Sequence, residues 1–274
     1  MIETRFCTFT TNEELEMLVE LQNEVYKQRG LIFKKELFKH WYADNPIGKV
    51  ISCNAFSDDK MIAHQSFVPE QMLVEGRIVQ CLRSMAVVTH PDFQGKGLFS
   101  QLTNQAIEEA KRQGYEFIYA ITNGNSFPAF IKHCGFSSVT QLTVKMGFGL
   151  NIHKDGEKTY KRYWTDETLR WRMSRGSYCR INDSIIGHFK PGILTYMGTL
   201  DTQLLDSVHL PKKRWNFGLK LYVGKGALLP ISYFKVPPFI KHSPFHVIFR
   251  DLTGKLPKMT EDNIFIQLID DDVA

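Results

Sequence analysis

The sequence predicts a mixed α/β fold over residues 1–150 and a smaller β-rich segment over residues 151–274. The order strand, glycine-containing loop, helix and strand between residues 79 and 122 is typical of a βαβ unit with parallel strands. From about residue 151 the composition changes and candidate strands dominate. A chain of 274 residues suits one large domain or two modest ones, each with a hydrophobic core.

The elements of the first half follow from periodicity and from turn residues. A helix is predicted to begin at Thr11-Asn12, which are N-cap types, and a short helix over 35–42 is predicted to end before Asn45-Pro46. Two further helices are predicted, the first ended by Gly114 and the second by Gly135. The predicted helices are 98–113 and 126–133, and the predicted strands are 50–56, 61–69, 70–74, 79–89 and 115–122.

The second half is predicted to start with a polar linker over residues 151–158. Its candidate strands are 193–198, 219–223, 245–249 and 264–268. Residues 36–42 and 167–173 share a basic amphipathic pattern with a tryptophan, so a degenerate internal repeat is a hypothesis.

Charge is unevenly divided along the chain. Residues 1–150 carry 15 Lys and Arg against 16 Asp and Glu, whereas residues 151–274 carry 19 against 13. A net charge of +5 is too small for a protein that coats nucleic acid, so no nucleic-acid partner is expected. The basic second half is compatible with a phosphate-bearing small molecule.

Cysteine usage and hydropathy suggest a cytoplasmic protein. The five cysteines form no CxxC pair or Cys/His ligand spacing, so neither disulfides nor a metal site are expected. The N-terminus lacks the apolar segment of a signal peptide, and no apolar run approaches the roughly 18 residues of a membrane span. No membrane association is therefore predicted.

The loop Gln94-Gly95-Lys96-Gly97 carries the strongest functional signal. Glycines between a strand and a helix let backbone N–H groups converge on an anion, and the helix dipole favours negative charge there. This is typical of a phosphate or diphosphate site. The loop lacks the Ser or Thr of a Walker A motif and the spacing of a dinucleotide fingerprint.

The stretch from Val87 to Phe99 resembles the acetyl-CoA-binding signature of the GNAT superfamily of N-acyltransferases, a strand followed by (Gln/Arg)-x-x-Gly-x-(Gly/Ala) and a helix. Asn123-Gly124-Asn125-Ser126 and the segment from Lys132 to Phe136 resemble the following block of that family. An upstream pattern (Trp41, Tyr42, Asn45, Pro46 and Gly48) resembles family members from sugar-modifying pathways. The resemblance implies a GNAT-like mixed sheet with helices on both faces.

The resemblance also implies residue roles. The strand segment Val87, Val88 and Thr89 would contact the pantetheine arm, with backbone groups of Val87 and Thr89 pairing with its amides. Asn125, Ser126 and Phe130 would flank its thioester end. The backbone N–H groups of the loop and helix start would hold the diphosphate, with side-chain contacts from Lys96 or Ser100, over residues Gln94, Gly95, Lys96, Gly97, Leu98, Phe99 and Ser100.

Two positions depart from the family pattern. Phe99 replaces the final small residue of the signature, so the ring must point away from CoA or the loop must pack differently. Ile131 stands where a tyrosine often protonates the leaving thiolate. Ser126 or solvent is then the candidate proton donor.

His64 is the candidate general base that takes the proton of the attacking amine, although a satisfied strand histidine is the alternative. His90 is better explained by its turn, and Tyr119 by the core. Further candidates are acids that are more often solvated: Glu70, Glu75, Asp270 and Asp272.

The sequence thus predicts transfer of an acetyl or similar short acyl group from acyl-CoA to a primary amine, without a metal. Direct attack in a ternary complex is expected because no cysteine stands where a covalent acyl carrier is needed. Cys134 is interpreted as a core residue. The acceptor hypothesis is a small molecule such as a nucleotide-linked amino sugar, since Trp171 and Trp215 lie beside basic residues. A protein, peptide or antibiotic amine, and a silent acyl-CoA sensor, are the alternatives.

Overall fold

Strand β1 (Ile2–Cys7) and helix α1 (Asn12–Tyr26) begin the fold in the computed structural model, which describes residues 1–190, 192–213, 218–237 and 242–271. Thr11 caps α1 as predicted, because its hydroxyl accepts the Glu14 N–H at 3.3 Å. The elements that follow up to residue 133 are α2 (Lys35–Phe38), β2 (Ile51–Ser57), β3 (Lys60–Val74), β4 (Arg77–Thr89), α3 (Leu98–Arg112), β5 (Phe117–Thr122) and α4 (Phe127–His133).

Strands dominate the remainder of the described chain, as the sequence predicts. Two short helices interrupt them, α5 (Asp166–Met173) and α6 (Thr202–Asp206). The strands are β6 (Ser137–Gln141), β7 (Thr143–Gly147), β8 (His153–Lys154), β9 (Tyr160–Arg162), β10 (Tyr178–Arg180), β11 (Ile185–Lys190), β12 (Ile193–Thr199), β13 (Leu219–Lys225), β14 (Ala227–Leu228), β15 (Phe234–Lys235), β16 (His246–Asp251) and β17 (Ile264–Gln267).

The chain divides into two units, each with its own core. Unit 1 comprises Met1–Gln71, Gln80–Ser138 and Ile248–Pro257, and unit 2 comprises Met72–Val79, Val139–Val247 and Lys258–Ala274. The composition change near residue 150 therefore lies close to, but not at, the passage from unit 1 to unit 2 at residue 138. Residues 248–257 return to unit 1, which no local pattern in the sequence indicates.

Unit 1 contains the predicted mixed sheet. Strands β1, β2 and β3 are antiparallel neighbours, whereas β4 and β5 are parallel, with Cys81–Arg83 beside Phe117–Tyr119. The apolar stripe of α3, including Leu102, Ala106 and Ile107, packs in one core cluster with residues of β2, β3 and β5. Parallel strands around a helix confirm the predicted βαβ unit.

Two predicted elements of unit 1 differ in detail. The predicted strands 61–69 and 70–74 form one continuous strand, β3, since nothing in their sequence turns the chain. The predicted short helix 35–42 ends as α2 at Phe38 and continues as a π-helical turn over Lys39–Ala43. That turn holds His40, Trp41 and Tyr42 in buried positions.

Unit 2 is built mainly from strands. β10, β11 and β12 form an antiparallel meander, and β12 lies parallel to β13. β13 is also antiparallel to β7 and to β17. Residues of these strands, among them Leu194, Tyr196 and Tyr222, form the core of this unit.

The linker prediction for residues 151–158 is wrong in its centre. His153 and Lys154 form strand β8, which pairs with β14 at Leu228 and Ala227. A polar pair can join a two-stranded ribbon without an apolar pattern, because backbone hydrogen bonds alone hold it. Within the part of the chain that the structure describes, no helix is long and apolar enough to cross a membrane.

Candidate functional site

A cleft of about 430 Å³ lies in unit 1 beside the ends of β4 and β5. Most of the sequence-predicted cofactor residues that reach it come from β4, the glycine loop and the Asn123–Ser126 turn. The lining residues are Val25, Tyr26, Arg29, Val87, Val88, Thr89, Gln94, Phe99, Asn123, Asn125, Ser126 and Ala129. Apart from Arg29 none of them carries a formal charge, so the cleft suits a largely neutral chain such as a pantetheine arm.

The cleft begins where the register of β4 and β5 ends. The two strands are in register from Cys81 to Arg83, and the lining residues Val87–Thr89 lie further along β4. Between them, Ala86 adopts a φ of +54°, which interrupts the strand conformation. Backbone groups of a strand that leaves its neighbour are available to a ligand that runs alongside it.

The glycine loop is shaped for close approach to backbone. Gly95 and Gly97 have φ values of +74° and +76°, and a Cβ at either position would meet no atom within 4 Å. Open space together with left-handed φ leaves the N–H groups at the start of α3 accessible. The Gln94 side chain donates to the Thr89 carbonyl at 3.1 Å and so ties the loop to β4.

At the start of α3, the side chains of Lys96 and Ser100 lie at the loop, whereas that of Leu98 is buried. The Lys96 ammonium lies 4.6 Å from the Phe93 ring centroid in an exposed loop, and the Ser100 hydroxyl donates to the Gly97 carbonyl at 3.0 Å. Leu98 is buried in the core and does not line the cleft. Its predicted contribution is therefore restricted to its backbone.

Ser126 lies in a tight turn at the end of β5. The Asn123 side-chain oxygen accepts the N–H groups of Asn125 and Ser126 at 2.9 and 3.2 Å. Ser126 lines the cleft, and its hydroxyl is hydrogen-bonded to the Thr122 hydroxyl and donates to the Asn123 side-chain oxygen at 3.4 Å. The turn thus brings a residue with a hydroxyl, which can donate or accept a proton, to the cleft.

Phe99 packs without closing the cleft. Its ring meets Phe130 edge to face at a centroid distance of 4.9 Å, and Phe130 in turn meets Phe136 at 5.0 Å. Phe99 is half-buried and lines the cleft, whereas Phe130 is only 2% exposed and supports it from the core. The helix start therefore accommodates a large residue where the family pattern has a small one.

Comparison with known families identifies this architecture. Residues 8–138 match the model of the acetyltransferase (GNAT) domain. This match covers just under half of the chain, and the matched segment contains every residue of the cleft.

Solved structures share the fold of the chain beyond the matched segment. A probable N-acyltransferase from Enterococcus faecalis is 12% identical, with 92% of this chain and 73% of that chain covered and a TM-score of 0.63. GCN5-related N-acetyltransferases from Kribbella flavida and Anabaena variabilis are each 11% identical, and each alignment covers 92% of this chain. The Kribbella flavida alignment covers 73% of that chain with a TM-score of 0.59, and the Anabaena variabilis alignment covers 74% with a TM-score of 0.56. No curated protein matches the chain.

The cleft of unit 1 includes residues that sequence reasoning missed. Val25 and Tyr26 come from the last turn of α1, Arg29 from the 3-10 turn after it, and Ala129 from α4. Val25 does follow the helical spacing of α1, but periodicity does not distinguish a cleft from a core. The Arg29 guanidinium lies 5.4 Å from the Tyr26 ring centroid and is the charged group of the lining.

His64 is not among the residues that line the cleft of unit 1. It is 1% exposed, and burial lowers its pKa from 6.5 to about 3. Its Nε2 lies 3.0 Å from the Tyr42 hydroxyl and its Nδ1 2.6 Å from Asn54 Oδ1. Since a general base must reach the substrate, this geometry favours the alternative reading of a satisfied strand histidine.

The structure also explains the other sequence candidates on β3, β4 and their turns. Glu70 is 2% exposed rather than solvated, because Arg83 Nε donates to it at 2.8 Å and the Tyr119 hydroxyl donates to its other oxygen. Glu75 is exposed in the turn between β3 and β4, as expected of a solvated acid. His90 caps the turn after β4, where its Nδ1 accepts the Asp92 N–H at 3.3 Å.

In unit 2, Asp270 lies at a cavity of about 570 Å³. Its carboxylate accepts the Gln267 N–H at 2.8 Å and the Trp164 indole N–H at 3.3 Å. These bonds make Asp270 part of the turn after β17 rather than an exposed acid. Asp272 and the Arg214-Trp215 part of a basic cluster lie outside the described residues.

The basic residues of unit 2 have different surroundings. Lys161 and the buried Arg162 line the same cavity, together with Trp164. Arg172 is buried and donates to the carbonyls of Ile269 and Asp271 at 3.1 and 3.0 Å. Next to Trp171, Arg172 is therefore a structural arginine, whereas Arg170 is exposed.

Proposed function

We propose that this chain is a GNAT N-acyltransferase, which transfers an acetyl or similar short acyl group from acyl-CoA directly to a primary amine. The observation that carries the proposal is that Val87–Thr89, Gln94, Phe99, Asn125 and Ser126 line one cleft of unit 1. In this reading the strand segment Val87–Thr89 pairs with the pantetheine amides, and the N–H groups at the start of α3 hold the diphosphate.

In the reaction the amine nitrogen forms a bond to the thioester carbonyl carbon, and the carbon–sulfur bond breaks. The amine must lose its proton before or during attack, and the CoA thiolate must gain one. Ser126 is the proposed proton donor because it lines the cleft and carries a hydroxyl, to which solvent then returns a proton. We assign removal of the amine proton to solvent, since His64 is enclosed by its hydrogen-bond partners.

Direct transfer is supported by the state of the cysteines. All five are buried, and burial raises the thiol pKa of Cys53 and Cys134 to about 11 and that of Cys7 to about 12. A thiol with such a pKa is a poor nucleophile at neutral pH. A covalent acyl-cysteine intermediate therefore has no suitable carrier.

A nucleotide-linked amino sugar is the acceptor that we place first. The support is the charge of residues 151–274, with 19 Lys and Arg against 13 Asp and Glu, and the cations and tryptophan at the cavity of unit 2. Cations bind phosphate groups, and an aromatic ring beside a cation suits a nucleobase.

The test is thiol release from acetyl-CoA with a panel of acceptors. The panel contains nucleotide-linked amino sugars, a lysine-containing peptide and an aminoglycoside. We expect turnover with at least one amine and intersecting lines in double-reciprocal plots, which signal a ternary complex. Parallel lines would contradict direct transfer, and stabilisation by acetyl-CoA without turnover of any amine would indicate a sensor instead.

A further inference from the structure

Strand β4 contains a residue in an unfavourable backbone conformation next to the proposed acyl-CoA site. Ala86 has a φ of +54°, although it is neither a glycine nor part of a turn. Residues other than glycine adopt such angles at a cost, and they persist only where their surroundings hold them. The next residues along the chain, Val87–Thr89, line the cleft.

Two buried side chains hold the carbonyl groups at this point. The Ser66 hydroxyl donates to the Met85 carbonyl at 2.7 Å, and the Gln22 side-chain amide donates to the Ala86 carbonyl at 2.8 Å. Gln22 is 2% exposed and Ser66 is fully buried. Consecutive carbonyls of β4 are thus satisfied by side chains from α1 and β3.

Ser66 and Gln22 each connect β4 to another part of unit 1. Ser66 is hydrogen-bonded at 2.8 Å to the Tyr42 hydroxyl, which also contacts His64. Gln22 lies one helical turn before Val25 and Tyr26, which line the cleft on the α1 side. The bond from Gln22 to Ala86 therefore joins two walls of the cleft.

We propose that Gln22 and Ser66 are positioning residues for acyl-CoA binding. By holding the carbonyls of Ala86 and Met85 they maintain the left-handed backbone that directs Val87–Thr89 along the cleft. Gln22 also sets the distance between that segment and the end of α1. The proposal rests on the proposed function, because it concerns the same acyl-CoA site.

The test measures the Kd of acetyl-CoA by calorimetry, which needs no acceptor amine. Gln22→Met keeps the length of the side chain but removes its donor, and we expect the Kd to rise about five- to tenfold. Adding Ala86→Gly to this variant should return the Kd to within about threefold of the wild type, because glycine adopts positive φ without a holding bond. Ser66→Ala should weaken binding in the same direction.

Asn45→Ala is the matched control. Asn45 is buried, and its amide donates to the Pro69 carbonyl at 3.0 Å, so its loss should lower the melting temperature without changing the Kd. The proposal is overturned if Gln22→Met and Ser66→Ala bind acetyl-CoA like the wild type, or if Ala86→Gly gives no rescue. If Gln22→Met does not fold, the same Kd criteria apply to Ser66→Ala alone and to Ser66→Ala combined with Ala86→Gly. A wild type that does not bind acetyl-CoA would instead refute the proposed function.

Discussion

Burial keeps the imidazole of His64 neutral, because a charged ring would lose its hydration without gaining a carboxylate partner. The structure places it among Tyr42, Ser52, Asn54 and Ser66, in a polar network inside unit 1. The sequence revealed the residue types but not this enclosure, since a strand histidine has the same local pattern whether it faces a cleft or a second layer. Its neutral state has a consequence for stability.

Below about pH 6.5, the His64 ring should bind a proton when the protein unfolds. The unfolded ring binds a proton near its ordinary pKa of 6.5, whereas the folded ring does so only near pH 3. The free energy of unfolding should therefore fall by about 2 kcal/mol between about pH 7 and pH 5 from this residue alone. Urea titrations at the two pH values should show that His64→Gln reduces this dependence.

The exposed His209→Gln variant is the control for the His64 experiment and should leave the pH dependence unchanged. Activity measurements on the same His64→Gln protein test the general-base hypothesis. A lower kcat/KM with unaltered stability would favour that hypothesis over the structural role.

Ser126 is predicted to act on kcat rather than on cofactor binding. Its hydroxyl lines the cleft, but a thiolate is a good leaving group, so Ser126→Ala should lower kcat only about tenfold and leave the KM of acetyl-CoA unchanged. Ser137→Ala removes a hydroxyl bonded to the Phe249 carbonyl at 3.0 Å and serves as the control. A Ser126→Ala enzyme as fast as the wild type would refute the proton-donor role.

Helix α3 is the element that links the loop to the sheet. Its apolar stripe and its terminal glycines are local signals, so its bounds could be predicted almost to the residue. The bounds of β2, β4 and β5 could be predicted to within about two residues, whereas β3 was predicted as two strands. The π-helical turn over Lys39–Ala43 and strands β8 and β9 could not be predicted, because short elements depend on neighbours distant in sequence.

The two ends of α3 allow a matched comparison. Gly97 and Gly114 both have positive φ and both have open space around a Cβ. Gly97→Ala and Gly114→Ala should therefore each lower the free energy of unfolding by about 1 kcal/mol. Only Gly97→Ala should also raise the Kd of acetyl-CoA, by about tenfold or more, because its methyl group would lie where we propose that the diphosphate approaches the backbone. Equal Kd values for the two variants would argue against a diphosphate site at this loop.

At the scale of the whole molecule, a nearly neutral first half is joined to a basic second half. The sequence reveals this asymmetry completely, whereas it does not reveal that residues 248–257 belong to unit 1. Composition is a local count, but the return of a segment to an earlier sheet depends on pairing across more than a hundred residues. For the same reason the cleft residues of α1 were not predicted, although those of the glycine loop were.

Salt should distinguish the two ligands. If the basic half binds a phosphate-bearing acceptor, raising the salt concentration from about 0.05 to about 0.5 M should increase the acceptor KM more than the KM of acetyl-CoA. Backbone N–H groups at the glycine loop are less sensitive to screening than exposed lysines and arginines. Kinetics with an amine acceptor that carries no phosphate provide the control. Equal effects on both substrates would mean that the asymmetry serves solubility only.

Because all five cysteines are buried, the folded protein should not react with thiol reagents. With thiol pKa values raised to about 11 or 12 at Cys7, Cys53 and Cys134, roughly one thiol in a thousand or fewer is ionised near pH 8. A chromogenic disulfide added to the reaction should therefore react with each released CoA and leave the folded protein untouched. Turnover can be followed continuously, and any signal from protein alone reports unfolding.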